Sequence, residues 1–202
     1  MGSESALRLP IVDFIKEDLK PGSPEWDSLK TQVKQALQEY GCFEALYNKV
    51  PSDLSIDLYE GLEELFDLPL QTKLRNRSNK PFHGYYDHIV FKCLFLDLLN
   101  INTVNLYAKQ LVELDHMVRR MVLESLGVDK YYDEHIESTN YLLRVMKYKG
   151  PQTSEAKMGL NSHTDKNILT ILHQNQVAGL EVQTKDGEWF DVKPSPNSFI
   201  VM

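Results

Sequence analysis

The chain has 202 residues, enough for one good-sized domain or a core domain with a helical extension, and its 42% hydrophobic and 25% charged content is that of an ordinary globular protein. Its formal net charge is −7, and the short basic clusters at Lys73 to Arg77 and Arg119-Arg120 are diluted by acids, which argues against a nucleic-acid partner. The most apolar stretch, Ile89 to Leu99, is broken by Lys92 and Asp97 and is too short to span a bilayer.

The N-terminus carries charge early and lacks an apolar signal-peptide region; Ala6 removes the Ser or Thr that a myristoylation motif needs after Gly2. Cys42 and Cys93 match no zinc or redox spacing and read as reduced thiols. A cytoplasmic location is expected.

Leu7 to Phe14 alternates and predicts a short opening strand. Pro21-Gly22-Ser23-Pro24 is a turn in which Ser23 can cap a helix with proline at its first position. Apolar residues at 26, 29, 33, 36, 37 and 40 then follow helical spacing, and Gly41 stops the run. A strand is expected over Cys42 to Tyr47. A second helix is expected over Pro51 to Phe66, with Leu54, Leu58, Leu62, Leu65 and Phe66 on one side. The third runs from about Val104 to Leu126, its buried stripe made of Leu106, Leu111, Leu114, Val118, Met121, Val122 and Leu126.

From Tyr141 the pattern switches to period two. Strands are expected over Tyr141 to Tyr148, Ile168 to His173, Leu180 to Thr184, Trp189 to Val192 and Phe199 to Met202, with Asp186-Gly187 marking a hairpin. The sequence thus predicts an α+β protein with two regions: a mostly helical one over 1–135, in which 88–105 is atypical, and a strand-rich one over 136–202.

His163-Thr164-Asp165 offers an imidazole and a carboxylate two positions apart, a pair able to ligate one metal from the end of a strand. Alone, such a triplet is a weak signal. It stands in an ordered string: GLNSHTD at 159–165, ILTIL at 168–172, GLEV at 179–182, DGEW at 186–189 and VKP at 192–194. That string resembles the plant 2-oxoglutarate and Fe(II)-dependent dioxygenases, whose catalytic core is a double-stranded β-helix, or jelly roll. LPIVDF at 9–14, ALQEYGCF at 36–43 and LFDLPLQTK at 65–73 are similar to the same family. KPFHGY at 80–85, STNYLLRVMKYKGP at 138–151 and HTDKNILTIL at 163–172 resemble its glucosinolate side-chain-modifying branch.

The resemblance implies an N-terminal helical layer on an incomplete jelly roll, and oxidation of a small-molecule secondary metabolite. Its cofactors would be Fe(II) and 2-oxoglutarate as cosubstrate, with ascorbate as an accessory. By the same resemblance His163 and Asp165 are metal ligands and Tyr148 contacts the cosubstrate's distal carboxylate, while Met146 stands where many relatives carry Asn. The family's second metal His and its Arg-x-Ser would fall after Met202. The chain as written is therefore expected to have little or no activity. A competing expectation is a non-catalytic protein that pairs with a full-length relative through an unpaired sheet edge.

Plainer readings stand beside these. A surface pair is the minor reading of His163 and Asp165 given the surrounding string, while a core tyrosine with a satisfied hydroxyl weighs evenly for Tyr148. His173 shares strand parity with Ile171 and Leu169 and reads as structural. His135-Ile136-Glu137 is ligand-like in spacing but is expected to face solvent at a helix end.

Overall fold

The computed structural model describes residues 7–17, 19–79, 83–85, 101–148, 159–175, 177–193 and 195–202, and is α+β. It forms two compact units. The first contains residues 1–51, 110–139 and 167–202, the second 52–109 and 140–166.

The first unit holds every strand among the described residues: β1 (Ile11–Asp13), β2 (Phe43–Leu46), β3 (Ile171–Leu172), β4 (Leu180–Gln183), β5 (Trp189–Val192) and β6 (Ser198–Val201). Four form a sheet in the order β1-β2-β6-β3; β1 is parallel to β2, and β6 is antiparallel to both of its neighbours. β4 and β5 form a separate antiparallel hairpin in which Gln183 faces Trp189. Gly187 at φ 92° closes its turn and donates to the Thr184 carbonyl, because only glycine enters that conformation without a Cβ clash. Leu172, Leu180, Val182 and Phe190 pack with Leu9, Cys42, Val192 and Ile200, so the hairpin covers one face of the larger sheet.

Helix α1 (Pro24–Tyr40) begins and ends as the sequence predicts. The Ser23 hydroxyl accepts from the Trp26 amide at 3.1 Å, and Gly41 at φ 72° returns its N–H to the Leu37 carbonyl. Its face of Trp26, Leu29, Val33 and Ala36 is buried, and the helix packs on β1 and β2. The Trp26 indole N–H donates to Glu124 at 2.8 Å, and Lys30 and Arg120 reach the same carboxylate at 3.2 and 3.1 Å. Burial alone would raise the Glu124 carboxyl, but these three donors outweigh it and hold it below its ordinary value of 4.5.

A pH-dependent result follows. The stabilisation is complete above the unfolded carboxyl's pKa and disappears as the pH falls through the lower folded value. Glu124→Gln should lower the urea midpoint at pH 7, and the gap from the unsubstituted chain should narrow on acidification below pH 4.5. A gap that stays constant across that range would mean the carboxylate charge is not what stabilises this corner.

The second unit contains α2 (Ser52–Asp67), the short α3 (Leu70–Lys73) and the first part of α4 (Ile101–Ser125), whose remainder belongs to the first unit. Leu58, Leu62 and Leu65 form the buried face of α2, and the Lys73 ammonium caps its C-terminal end by donating to the Phe66 carbonyl at 2.8 Å.

Along α4 the buried apolar positions are Val104, Tyr107, Leu114, Val118 and Met121. Leu106, expected in this stripe, is 52% exposed. Tyr107 lies one position round the helix, in phase with Val104 and Leu114, and takes the inward place instead. Leu126 is also exposed, because Ser125 ends the helix and Gly127 turns the chain at φ 70°.

Two further expectations need correction. Tyr141 to Tyr148 is not a strand: the segment carries a single bridge residue, Val145, since alternation yields a strand only where a neighbour supplies a ladder. His135 lies in α5 (Tyr132–Glu137) and does not simply face solvent. Its Nε2 is 2.9 Å from Arg119 Nη1, and Arg119 also pairs with Asp115 at 2.7 Å in a buried ion pair on α4. Residues 88–100 of the atypical segment, together with Cys93, lie outside the described residues.

Candidate metal and cosubstrate site

The sequence string from Gly159 to Asp165 runs without regular secondary structure, which frees its side chains and carbonyls for contacts other than a ladder. The His163 Nδ1 lies 2.9 Å from the Asn161 carbonyl oxygen. A carbonyl only accepts, so this contact puts a proton on Nδ1 and leaves Nε2 as the nitrogen that a metal would take. That nitrogen sits 3.4 Å from Asp165 Oδ1. The gap is long for a hydrogen bond. It is close to the ~3 Å expected between neighbouring ligands whose metal bonds are about 2.1 Å at right angles.

Both side chains remain accessible, at 52% and 36% exposure, as an approaching metal requires. A ligating imidazole fixed through its other nitrogen by a backbone carbonyl is a familiar arrangement, because the second contact sets the tautomer and ring plane. The Asn161 carbonyl was not singled out by sequence; a backbone acceptor leaves no residue-type signal.

Tyr148 belongs to the same compact unit as the pair. Its hydroxyl donates to the Met146 sulfur at 3.4 Å, and its half-exposed ring lies over Gly159. Burial raises the phenol's pKa, opposed by the charge of Arg144, so the group is a protonated donor near neutral pH. His173 is elsewhere, in the first unit, with its ring 4.6 Å from that of the core residue Phe199. Burial pushes its pKa down to about 4, consistent with a neutral structural ring. Among the described residues, no group of three or more His, Cys, Asp or Glu side chains converges as a metal cage.

Comparison with known proteins gives this geometry its context. Residues 130–202 match the 2OG-Fe(II) oxygenase superfamily, and residues 9–92 match the N-terminal region described as non-haem dioxygenase in morphine synthesis. A probable 2-oxoglutarate-dependent dioxygenase of Arabidopsis thaliana, AOP1.2, is 48% identical over 98% of this chain and 70% of its own length. The chain belongs to the 2-oxoglutarate and Fe(II)-dependent oxygenase family.

A more distant Arabidopsis thaliana relative of this oxygenase, 32% identical over all of the chain and 77% of its own length, is named a probable inactive 2-oxoglutarate-dependent dioxygenase, AOP2. Among solved structures, a rice dioxygenase for auxin oxidation superposes with a TM-score of 0.76 at 27% identity, covering 96% of this chain and 70% of that one. The fold is therefore that of the jelly-roll oxygenases, whose cofactors are Fe(II) and 2-oxoglutarate. The alignment with AOP1.2 runs over 223 residues, more than the 202 present here, so that relative contains residues with no counterpart in this oxygenase chain.

The donor set fits one edge of such an iron centre. A neutral imidazole nitrogen and a carboxylate oxygen are two of the three protein donors that a 2-His-1-carboxylate site uses. A third donor is not among the described residues. No helix among them is long and apolar enough to cross a membrane.

Proposed function

We propose that His163 Nε2 and Asp165 Oδ1 hold Fe(II) and that Tyr148 contacts the distal carboxylate of 2-oxoglutarate. The reaction served is oxidation of a small-molecule secondary metabolite in the cytoplasm. A glucosinolate side chain is the substrate class favoured by the sequence likenesses at 80–85, 138–151 and 163–172. The observation that carries the reading is the orientation of His163 by the Asn161 carbonyl, which aims Nε2 toward Asp165.

Iron with 2-oxoglutarate, and ascorbate as accessory reductant, supplies oxidation of a C–H bond with consumption of O2 and loss of CO2 from the cosubstrate. The chain's own contribution is placement. His163 and Asp165 would hold the metal, and Tyr148 would turn its single hydroxyl proton from Met146 Sδ to the cosubstrate carboxylate. Two protein donors hold a metal less firmly than three, so iron held by His163 and Asp165 alone would support weak or no turnover. The segment 88–105 is read from sequence as a foreign or shortened insert in place of the loop that lines the substrate mouth in the family.

Anaerobic titration of the purified chain with Fe(II), in the presence of 2-oxoglutarate, tests this through the visible charge-transfer band of the chelate. A saturable band establishes a competent half-site and makes turnover assays informative. Absence of a band at millimolar iron would remove the metal-binding reading for this chain.

A second reading is pairing with a full-length relative. It is favoured by the sheet order, in which β1 and β3 are terminal strands, and by Ile168 beside β3, which is 72% exposed. A defined heterodimer on size-exclusion chromatography with such a relative would support it; unchanged elution of both proteins would dismiss it.

A further inference from the structure

We infer that Gly159 is a positioning residue whose missing side chain forms the seat of the Tyr148 ring. A Cβ built on Gly159 would lie 2.6 Å from Tyr148 Cδ1, 3.0 Å from Cε1 and 3.5 Å from Cγ. Cδ1 and Cε1 form the ring edge that faces Gly159, so an added methyl group requires the ring to turn. Gly159 has no positive φ that would exclude other residues, so its conformation does not by itself require glycine. Space is what requires it.

The hydroxyl at the other end of the ring donates to Met146 Sδ at 3.4 Å. Tyr148 is thus held at two points, by backbone under the ring and by sulfur at the hydroxyl. Because the side chain is 46% exposed, packing from other residues does not fix it on every side, and the Gly159 contact has a large share in choosing its rotamer. An added methyl group would turn the ring outward and carry the hydroxyl off Met146.

Functional importance rests on the reading of Tyr148 as a cosubstrate contact. Under that reading Gly159 acts only through Tyr148, which sets it apart from a residue that merely supports the fold.

The test has three arms on the full chain. In the unsubstituted protein, nuclear Overhauser contacts between the Gly159 α protons and the Tyr148 ring protons are expected, with Tyr148→Phe identifying the tyrosine signal. Gly159→Ala should shift that signal while leaving amide resonances of the β2–β6 ladder in place. Isothermal titration of 2-oxoglutarate with Mn(II) in place of iron should show weaker binding in Gly159→Ala. The same substitution should cause no further loss in a Tyr148→Phe background.

No Overhauser contact, or an unshifted ring signal in a folded Gly159→Ala chain, overturns the seat. Equal additional losses in both backgrounds overturn action through Tyr148 and leave a structural glycine. If the ring signal moves but Tyr148→Phe binds 2-oxoglutarate as well as the unsubstituted chain, or neither binds it, the reading of Tyr148 fails. The positioning role then fails with it.

Discussion

Alanine at either His163 or Asp165 should lower Fe(II) affinity by more than about 100-fold, since even residues that only orient a metal ligand change affinity by roughly 10–100-fold. With two described donors, either substitution leaves a single one, so the double variant should be little worse than each alone. Asp165→Glu should fall between, because its longer side chain displaces the oxygen from the position 3.4 Å from His163 Nε2. Competition against a metallochromic chelator under anaerobic conditions measures all four proteins. The half-exposed pair contributes little to packing, so thermal midpoints should move by no more than about 0.5 kcal/mol of stability. Affinity unchanged in both single variants would place the metal elsewhere on the chain.

Asp115→Ala should be among the most damaging single changes to the fold, costing about 3–5 kcal/mol. The carboxylate and the Arg119 guanidinium are both buried, with side-chain exposures of 8% and 7%, and their atoms meet at 2.7 Å one turn apart on α4. Removing one partner leaves the other charge without its counter-charge in a low-dielectric setting, and that desolvation is the source of the loss. Arg119 also reaches His135 at 2.9 Å, so loosening it should release α5 from α4 as well. Replacing both partners together, Asp115→Leu with Arg119→Met, should restore much of the stability, because a buried pair contributes little beyond what well-packed apolar groups supply. Urea unfolding of the two variants and the unsubstituted chain at pH 7 decides the matter. A double variant as unstable as Asp115→Ala would show that the pair is needed for a reason other than charge balance.

Local signals carried far in the helical parts of this chain. Ser23, Pro24 and Gly41 fixed the ends of α1 because capping and left-handed backbone depend on the residue itself. Asp186-Gly187 located the β4–β5 turn for the same reason. The strip over Tyr141 to Tyr148 misled because alternation describes a surface and not a partner; only Val145 finds a bridge. Leu106 misled because hydrophobicity alone does not fix the phase of a stripe when an aromatic such as Tyr107 can take the inward position. His135 reads as a surface residue in the sequence because Arg119, sixteen positions earlier, comes to it only when α5 folds back on α4.

The sequence by itself determined the family and the α+β class and offered the His163/Asp165 pair as a candidate, because these rest on residue types in fixed order. Tertiary structure decided the rest of the site's physics. It set the proton on His163 Nδ1 through a backbone carbonyl and brought Tyr148 onto Gly159 across a gap of eleven positions. Both depend on where main-chain atoms lie. A carbonyl oxygen and an absent Cβ have no side-chain letter of their own, so only the folded chain reveals what they hold in place.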